Sequence, residues 1–222
     1  MINITIIIVV VTAIFSYLAF TRPELKYKYI LNAYQVVHRK EYYRIITHGF
    51  LHADWMHLGF NMLALYSFGA SVEHGGYVQL DSGLLEYVPG FDDPSVFGKS
   101  GPLYYVILYF SALIFSSIHS IAKHKDNHSY SALGASGAVS AVVFASILLH
   151  PNGVIYLFLS IPIPSIVFGI LYLVLSAYMS KNSRDNIGHD AHFWGSVFGF
   201  IFPIIMKPEL FSRFINSVQH LL

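Results

Sequence analysis

Residues 127–180 read NHSYSALGASGAVSAVVFASILLHPNGVIYLFLSIPIPSIVFGILYLVLSAYMS, fifty-four positions in a row without Asp, Glu, Lys or Arg. In soluble domains about one residue in four is charged, so a run of this length has no place in an aqueous fold. A helix that crosses the hydrocarbon of a bilayer needs about 20 mostly apolar residues. The run is long enough for two such helices, and His150-Pro151-Asn152-Gly153 marks a turn between them. The predicted spans are residues 131–149 and 154–179. The second carries Pro162 and Pro164 at mid-membrane, which predicts a kink there.

The same pattern recurs on both sides. Residues 4–20 form a first span. A signal peptide is the rival reading, disfavoured because no basic stretch precedes the apolar run and no small-x-small cleavage site follows it. Residues 21–54 hold six Lys or Arg, scattered aromatics and Pro23, which suits an interfacial loop with short amphipathic helices. Residues 55–74 form the second span, uncharged from Trp55 to Val72. Gly75-Gly76, Pro89-Gly90 and Asp92-Asp93-Pro94 then mark loop and turns. Spans at 102–122 and 187–206 complete a count of six, the last rich in Gly and Ala. With no internal repeat and no linker, residues 1–222 read as one domain.

Whole-chain composition agrees. The 222 residues are 55% hydrophobic and 11% charged, with mean hydropathy +0.56. That excludes an ordinary soluble enzyme and a disordered chain. A net charge of +1 offers no basic field to nucleic acid, which is excluded as a partner. The absence of Cys removes disulfides, thiolate metal sites and thiol nucleophiles. The fold class is all-α: a polytopic membrane bundle of six helices with the lipid bilayer as its solvent.

Polar side chains inside such helices are costly, and each is a functional candidate. The second span holds His57 and Asn61, four apart and so on one face. The fourth opens with Gly134-Ala135-Ser136-Gly137, and the sixth has Asp190 and His192 near its start. Even-numbered spans cross in one direction. His57, Ser136 and His192 each lie within about five residues of a span start, a depth of about 8 Å or less, under the same membrane face. An alcohol, two imidazoles and an amide therefore converge where water can reach them. Gly195 and Gly199 have the spacing that lets membrane helices approach closely, and Gly134 and Gly137 flank Ser136. A serine hydroxyl becomes a useful nucleophile beside a general base, and imidazole titrates near neutrality.

At these residues the chain resembles the rhomboid intramembrane serine proteases. The matching pieces are Gly134-Ala135-Ser136-Gly137, Ala191-His192-x-x-Gly195-x-x-x-Gly199, and the stretch from Thr47 to Asn61 with Arg44 before it. Together, in order, they cover most of the chain from Arg44 to Gly199. Position 138 is Ala, so this is not the nucleophile elbow of soluble hydrolases. The resemblance implies a dyad without a third carboxylate: Ser136 as nucleophile and His192 as general base and acid. It implies oxyanion donation by His57, Asn61 and the Ser136 backbone N–H, and no cofactor or metal. The implied substrates are transmembrane helices of other membrane proteins with helix-breaking residues. The fifth span and loop 179–190 would be gate and cap, and the location a bacterial inner membrane. One departure stands out. Many bacterial members carry a Tyr four residues after the nucleophile, packed on the dyad His; here that position is Ser140.

Plainer readings remain beside these. Ser136 is also a small residue fit for a helix contact, and His57 with Asn61 is also a plausible interhelical hydrogen-bonding pair. His48, His52 and His57 suggest zinc, although packing is the favoured reading. Asp190 points away from His192 at two residues' spacing and reads as a cap or loop residue. Arg44 reads as a loop brace or a headgroup contact, and His119, His124 and His128 as interfacial. A catalytically silent relative that binds membrane clients, a zinc hydrolase and a transporter are the rival functions. Orientation is contested as well: loops 21–54, 121–130 and 179–190 hold ten Lys or Arg against three on the other side. The positive-inside rule then puts those loops in the cytoplasm, whereas the resemblance implies cytoplasmic termini and an outward-facing site. The family orientation is preferred, because cations of a first loop lying at the interface meet lipid.

Overall fold

The computed structural model describes residues 3–79, 84–157, 160–182 and 188–219. Helices stand near the expected places: α1 (Ile4–Thr21), α5 (Trp55–His74), α6 (Gly101–His124), α7 (Ser136–Leu149), α8 (Ser165–Asn182) and α9 (His189–Met206). Helix α7 starts at Ser136 and not at the expected 131, since residues 131–135 are not helical and are tied to the first loop through Leu31 and Ala132. The first loop folds into three short helices, α2 (Pro23–Tyr29), α3 (Ala33–Arg39) and α4 (Arg44–Thr47). An amphipathic α10 (Glu209–Gln219) follows the last long helix. Among the described residues, three helices are long and apolar enough to cross a membrane. A fourth is added if α9 and α10, bent by 116° at their junction, count as one. The polar residues of α5 and the brevity of α7, at 14 residues, set those two apart.

Helix α7 is the axis of the bundle. Every residue from Gly137 to Leu148 is buried, as expected of a helix apolar all round, and α5, α6 and α9 pack against it. The outer helices are inverted relative to a soluble protein. α1 turns Thr5, Thr12 and Ser16 inward while Ile6, Ile7, Val10 and Ile14 face out. α8 exposes Ile170, Leu171, Val174 and Leu175. Apolar outer surface on this scale needs lipid around it.

Two hairpins interrupt the helices. β1 (Gly76–Gln79) pairs with β2 (Leu85–Val88), and β3 (Val154–Leu157) pairs antiparallel with β4 (Ile161–Pro164). The second corrects the expected fifth span. The described residues of 154–164 are not helical, the helix begins at Ser165, and Pro162 and Pro164 lie before it and kink nothing. Each proline would remove a hydrogen bond and clash inside a helix. Two apart on one strand of a two-stranded hairpin, they share a side of the ladder that need not donate. The expected cap at 179–190 lies partly outside the described residues, at 183–187.

At the end of the bundle where α1 begins, the Glu73 carboxylate accepts from the N–H groups of Ile4 (2.7 Å) and Thr5 (2.9 Å) and from the Thr5 hydroxyl (2.8 Å). It caps α1 from the last turn of α5. Lys207 Nζ donates to the carbonyls of Ser95 and Val96, tying the α9–α10 junction to the loop before α6.

Candidate active site

The segment leading into α7 is held from the first loop. Leu31 and Ala132 exchange backbone hydrogen bonds of 3.0 and 2.9 Å, and Asn32 Nδ2 donates to the carbonyls of His128 and Tyr130 at 3.0 Å. Closer in, the Gly134 N–H donates to the His48 carbonyl at 3.0 Å, and the Ala135 N–H to His52 Nε2 at 3.4 Å. With Nε2 accepting, His52 carries its proton on Nδ1 and donates it to Ser16 Oγ (2.9 Å), whose hydroxyl donates to the Phe50 carbonyl (2.9 Å). His48 Nε2 lies 3.1 Å from Ser117 Oγ. Both imidazoles are thus tied by hydrogen bonds into the packing before α7. Burial pushes His48 down to about 4 and His52 to about 3, the latter also repelled by His57.

Arg44 completes the brace. Its Nη1 donates to the carbonyls of Tyr27 (3.0 Å) and Ile30 (2.8 Å), and its Nε to the Glu41 carboxylate at 2.6 Å. The guanidinium in turn holds the Glu41 carboxyl below its ordinary value.

Ser136, the first residue of α7, is half-buried. The N-cap residue is Ala135, whose methyl offers no capping hydrogen bond. The first N–H groups of a helix have no intrahelical carbonyl to bond, and the dipole makes that end positive. A developing anion is stabilised there. At 14 residues α7 is about 21 Å long, shorter than a hydrocarbon thickness of about 30 Å.

His57 reaches the same point from α5. The Asp54 carboxylate caps that helix by accepting the His57 N–H at 2.8 Å. The imidazole lies on the backbone of Gly134, where φ is +122°: a Cβ built there would stand 2.8 Å from Cε1 and 3.0 Å from Nε2. No other residue type permits both that backbone and that ring. Asn61, one turn on, is buried and gives one amide hydrogen to the His57 carbonyl at 2.9 Å, leaving the second N–H for another acceptor.

Helix α9 brings His192. A Cβ on Gly195 would strike the Gly137 carbonyl, and one on Gly199 the Ala141 backbone, so α7 and α9 touch through glycines one turn apart. His192 lies one turn before Gly195 and Ser136 is adjacent to Gly137, which puts both beside this crossing. Asp190 accepts from the Ser120 hydroxyl of α6, and so it anchors the start of α9. It is helical, where the sequence reading has a cap or loop. The imidazole of His192 is flanked by the edge of His189 (centroids 5.9 Å apart) and stacked against Tyr172 of α8 (6.3 Å, 26° between planes).

Sequence reasoning does not single out Tyr172. It sits in a helix that is uncharged up to Lys181, among aliphatic and aromatic neighbours, and only its partner gives a clue, since Ser140 lies one turn below Ser136 on the same face of α7.

Residues 39–209 match the Rhomboid domain. The chain belongs to the rhomboid family. Among curated proteins it is similar to the RHOMBOID-like protein 12, mitochondrial, of Arabidopsis thaliana, with 31% identity over 153 residues. That match covers 68% of this chain and 43% of the relative, so the rhomboid chain spans under half of the relative's length. Family and apolar helices together make this rhomboid an integral membrane protein built as a helical bundle.

Proposed function

We propose that this rhomboid-family chain is an intramembrane serine endopeptidase with Ser136 as nucleophile and His192 as general base and acid. The observation that carries the reading is the crossing of α7 and α9 at Gly137 and Gly195, with His57 lying on Gly134 just before the start of α7. In this reading α1, α5, α6, α7, α8 and α9 are six spans of one domain. The sequence reading's bacterial inner membrane gains no support from the Arabidopsis relative, whose name is mitochondrial.

In acylation the Ser136 oxygen bonds to the scissile carbonyl carbon as its proton passes to His192. The oxyanion accepts hydrogen bonds from the Ser136 N–H, His57 and Asn61. Collapse breaks the carbon–nitrogen bond, and His192 returns the proton to the leaving amine. Water then adds to the acyl-enzyme by the same route in reverse. The substrate is a transmembrane helix with helix-breaking residues, since a peptide bond has to leave its helix to meet Ser136.

Fluorophosphonate labelling of the detergent-purified protein is the test, run beside Ser136→Ala and His192→Ala. Labelling of wild type alone is expected. If all three stay dark while an active rhomboid labels under the same conditions, the chain is better read as a client-binding relative.

A further inference from the structure

We propose that Tyr172 is the positioning residue of His192, locked in place by Ser140. The inference rests on the dyad reading above and names what holds its base. The phenol ring lies against the imidazole at 6.3 Å and 26°, inside the separation at which rings attract one another. Its hydroxyl is 2.7 Å from Ser140 Oγ. Phe144 of α7 (5.8 Å) and Phe168 of α8 (5.7 Å) pack on the same ring, so neither tilt nor rotation is free.

The three residues come from three helices. Ser140 lies directly below the nucleophile on α7, Tyr172 on α8 reaches across to it, and the His192 imidazole on α9 lies beside the phenol at 26° between planes. A base that has to take a proton from Ser136 and then turn it toward a leaving nitrogen needs its imidazole plane fixed. The phenol beside it, with His189 on another side, restricts the side-chain torsions of His192. Tyr172 touches no reacting atom in this scheme.

The test measures the rate of fluorophosphonate labelling at Ser136 together with turnover of a single-span reporter substrate. Variants Tyr172→Leu, Tyr172→Phe and Ser140→Ala are compared with wild type. Tyr172→Leu is expected to slow labelling and kcat about 10- to 100-fold, the scale set by misplaced catalytic groups. KM, the final labelled fraction and the melting temperature should hold. Tyr172→Phe keeps the ring and should recover most of the rate. Its remaining deficit should match that of Ser140→Ala, and the double variant should be no worse than either, because both remove one hydrogen bond.

A Tyr172→Leu rate within twofold of wild type overturns the proposal. So does a loss that tracks the melting temperature or the labelled fraction, which marks packing alone. Should Tyr172→Leu fail to fold, additive losses in the Phe and Ala pair overturn it. An unlabelled, inactive wild type is a different failure: it removes the protease reading, and the proposal with it.

Discussion

At the residue scale the site depends on two small groups that carry no charge. Asn61 spends one amide hydrogen on its own helix and has a second to give. Its replacement by Ala should lower turnover by about 10²–10³, the cost of one oxyanion donor, and leave residual activity, whereas Ser136→Ala should leave none. Cleavage of a reporter substrate separates the two. Gly134 is subtler. A methyl there meets the His57 ring, and the left-handed backbone is strained for any L side chain. Gly134→Ala should therefore displace His57 and slow fluorophosphonate labelling while the protein still folds. That Ser136, His192, His57 and Asn61 are candidates for one site can be read in the sequence, because intramembrane polar residues are few and helix direction limits which can meet. The Tyr172 contact cannot, because the identity of its helix face depends on where α8 begins.

That starting point is an element-scale matter. A 54-residue uncharged run fixes how much chain is buried in lipid or protein, but hydropathy does not distinguish strand from helix within it. The decisive signal at 162 and 164 is period-two proline, which a kinked helix and a hairpin edge both accommodate at first sight. Strands Val154–Leu157 and Ile161–Pro164 occupy the first part of the expected span, and α8 begins at Ser165. The contact between α7 and α9, by contrast, is legible: Gly195-x-x-x-Gly199 announces it and the backbones meet there. Because carbonyl oxygens stand where side chains would go, Gly195→Val cannot be absorbed by a rotamer change. A loss of about 1–3 kcal/mol or more is expected from such overpacking, read as a lower melting temperature in detergent. Gly59, with open space around its Cβ position, supplies the control, since Gly59→Ala should melt within a few degrees of wild type.

At the scale of the whole molecule, charge and pH act on what lies outside the membrane. Of the first-loop cations, Arg44 is buried and bound to carbonyls and Glu41, and Lys28 sits over the Tyr29 ring at 5.3 Å. Cations held in that way exert less of the positive-inside bias, which favours the outward-facing site. A reporter fused after Leu222 should then read as cytoplasmic, and an extracytoplasmic signal would reverse the orientation. Acid should loosen the fold through the loop histidines. His48 and His150 are pushed down to about 4 and His52 to about 3, each mainly by burial. A histidine depressed in the folded state contributes its full stability above about pH 6.5 and loses about 1.4 kcal/mol per pH unit below it, down to its folded value. Melting temperature should fall steadily from pH 6.5 toward 4, and His150→Asn should flatten part of that slope. Helix α8 has one more consequence. It buries only Ser165, Gly169 and Ser176, making it the most loosely seated long helix, and it carries Tyr172. If the protease reading holds, an outward swing of α8 to make room for an incoming helix would carry Tyr172 away from His192 in the same movement. Admission and cutting would then be exclusive in time, like the two doors of an airlock.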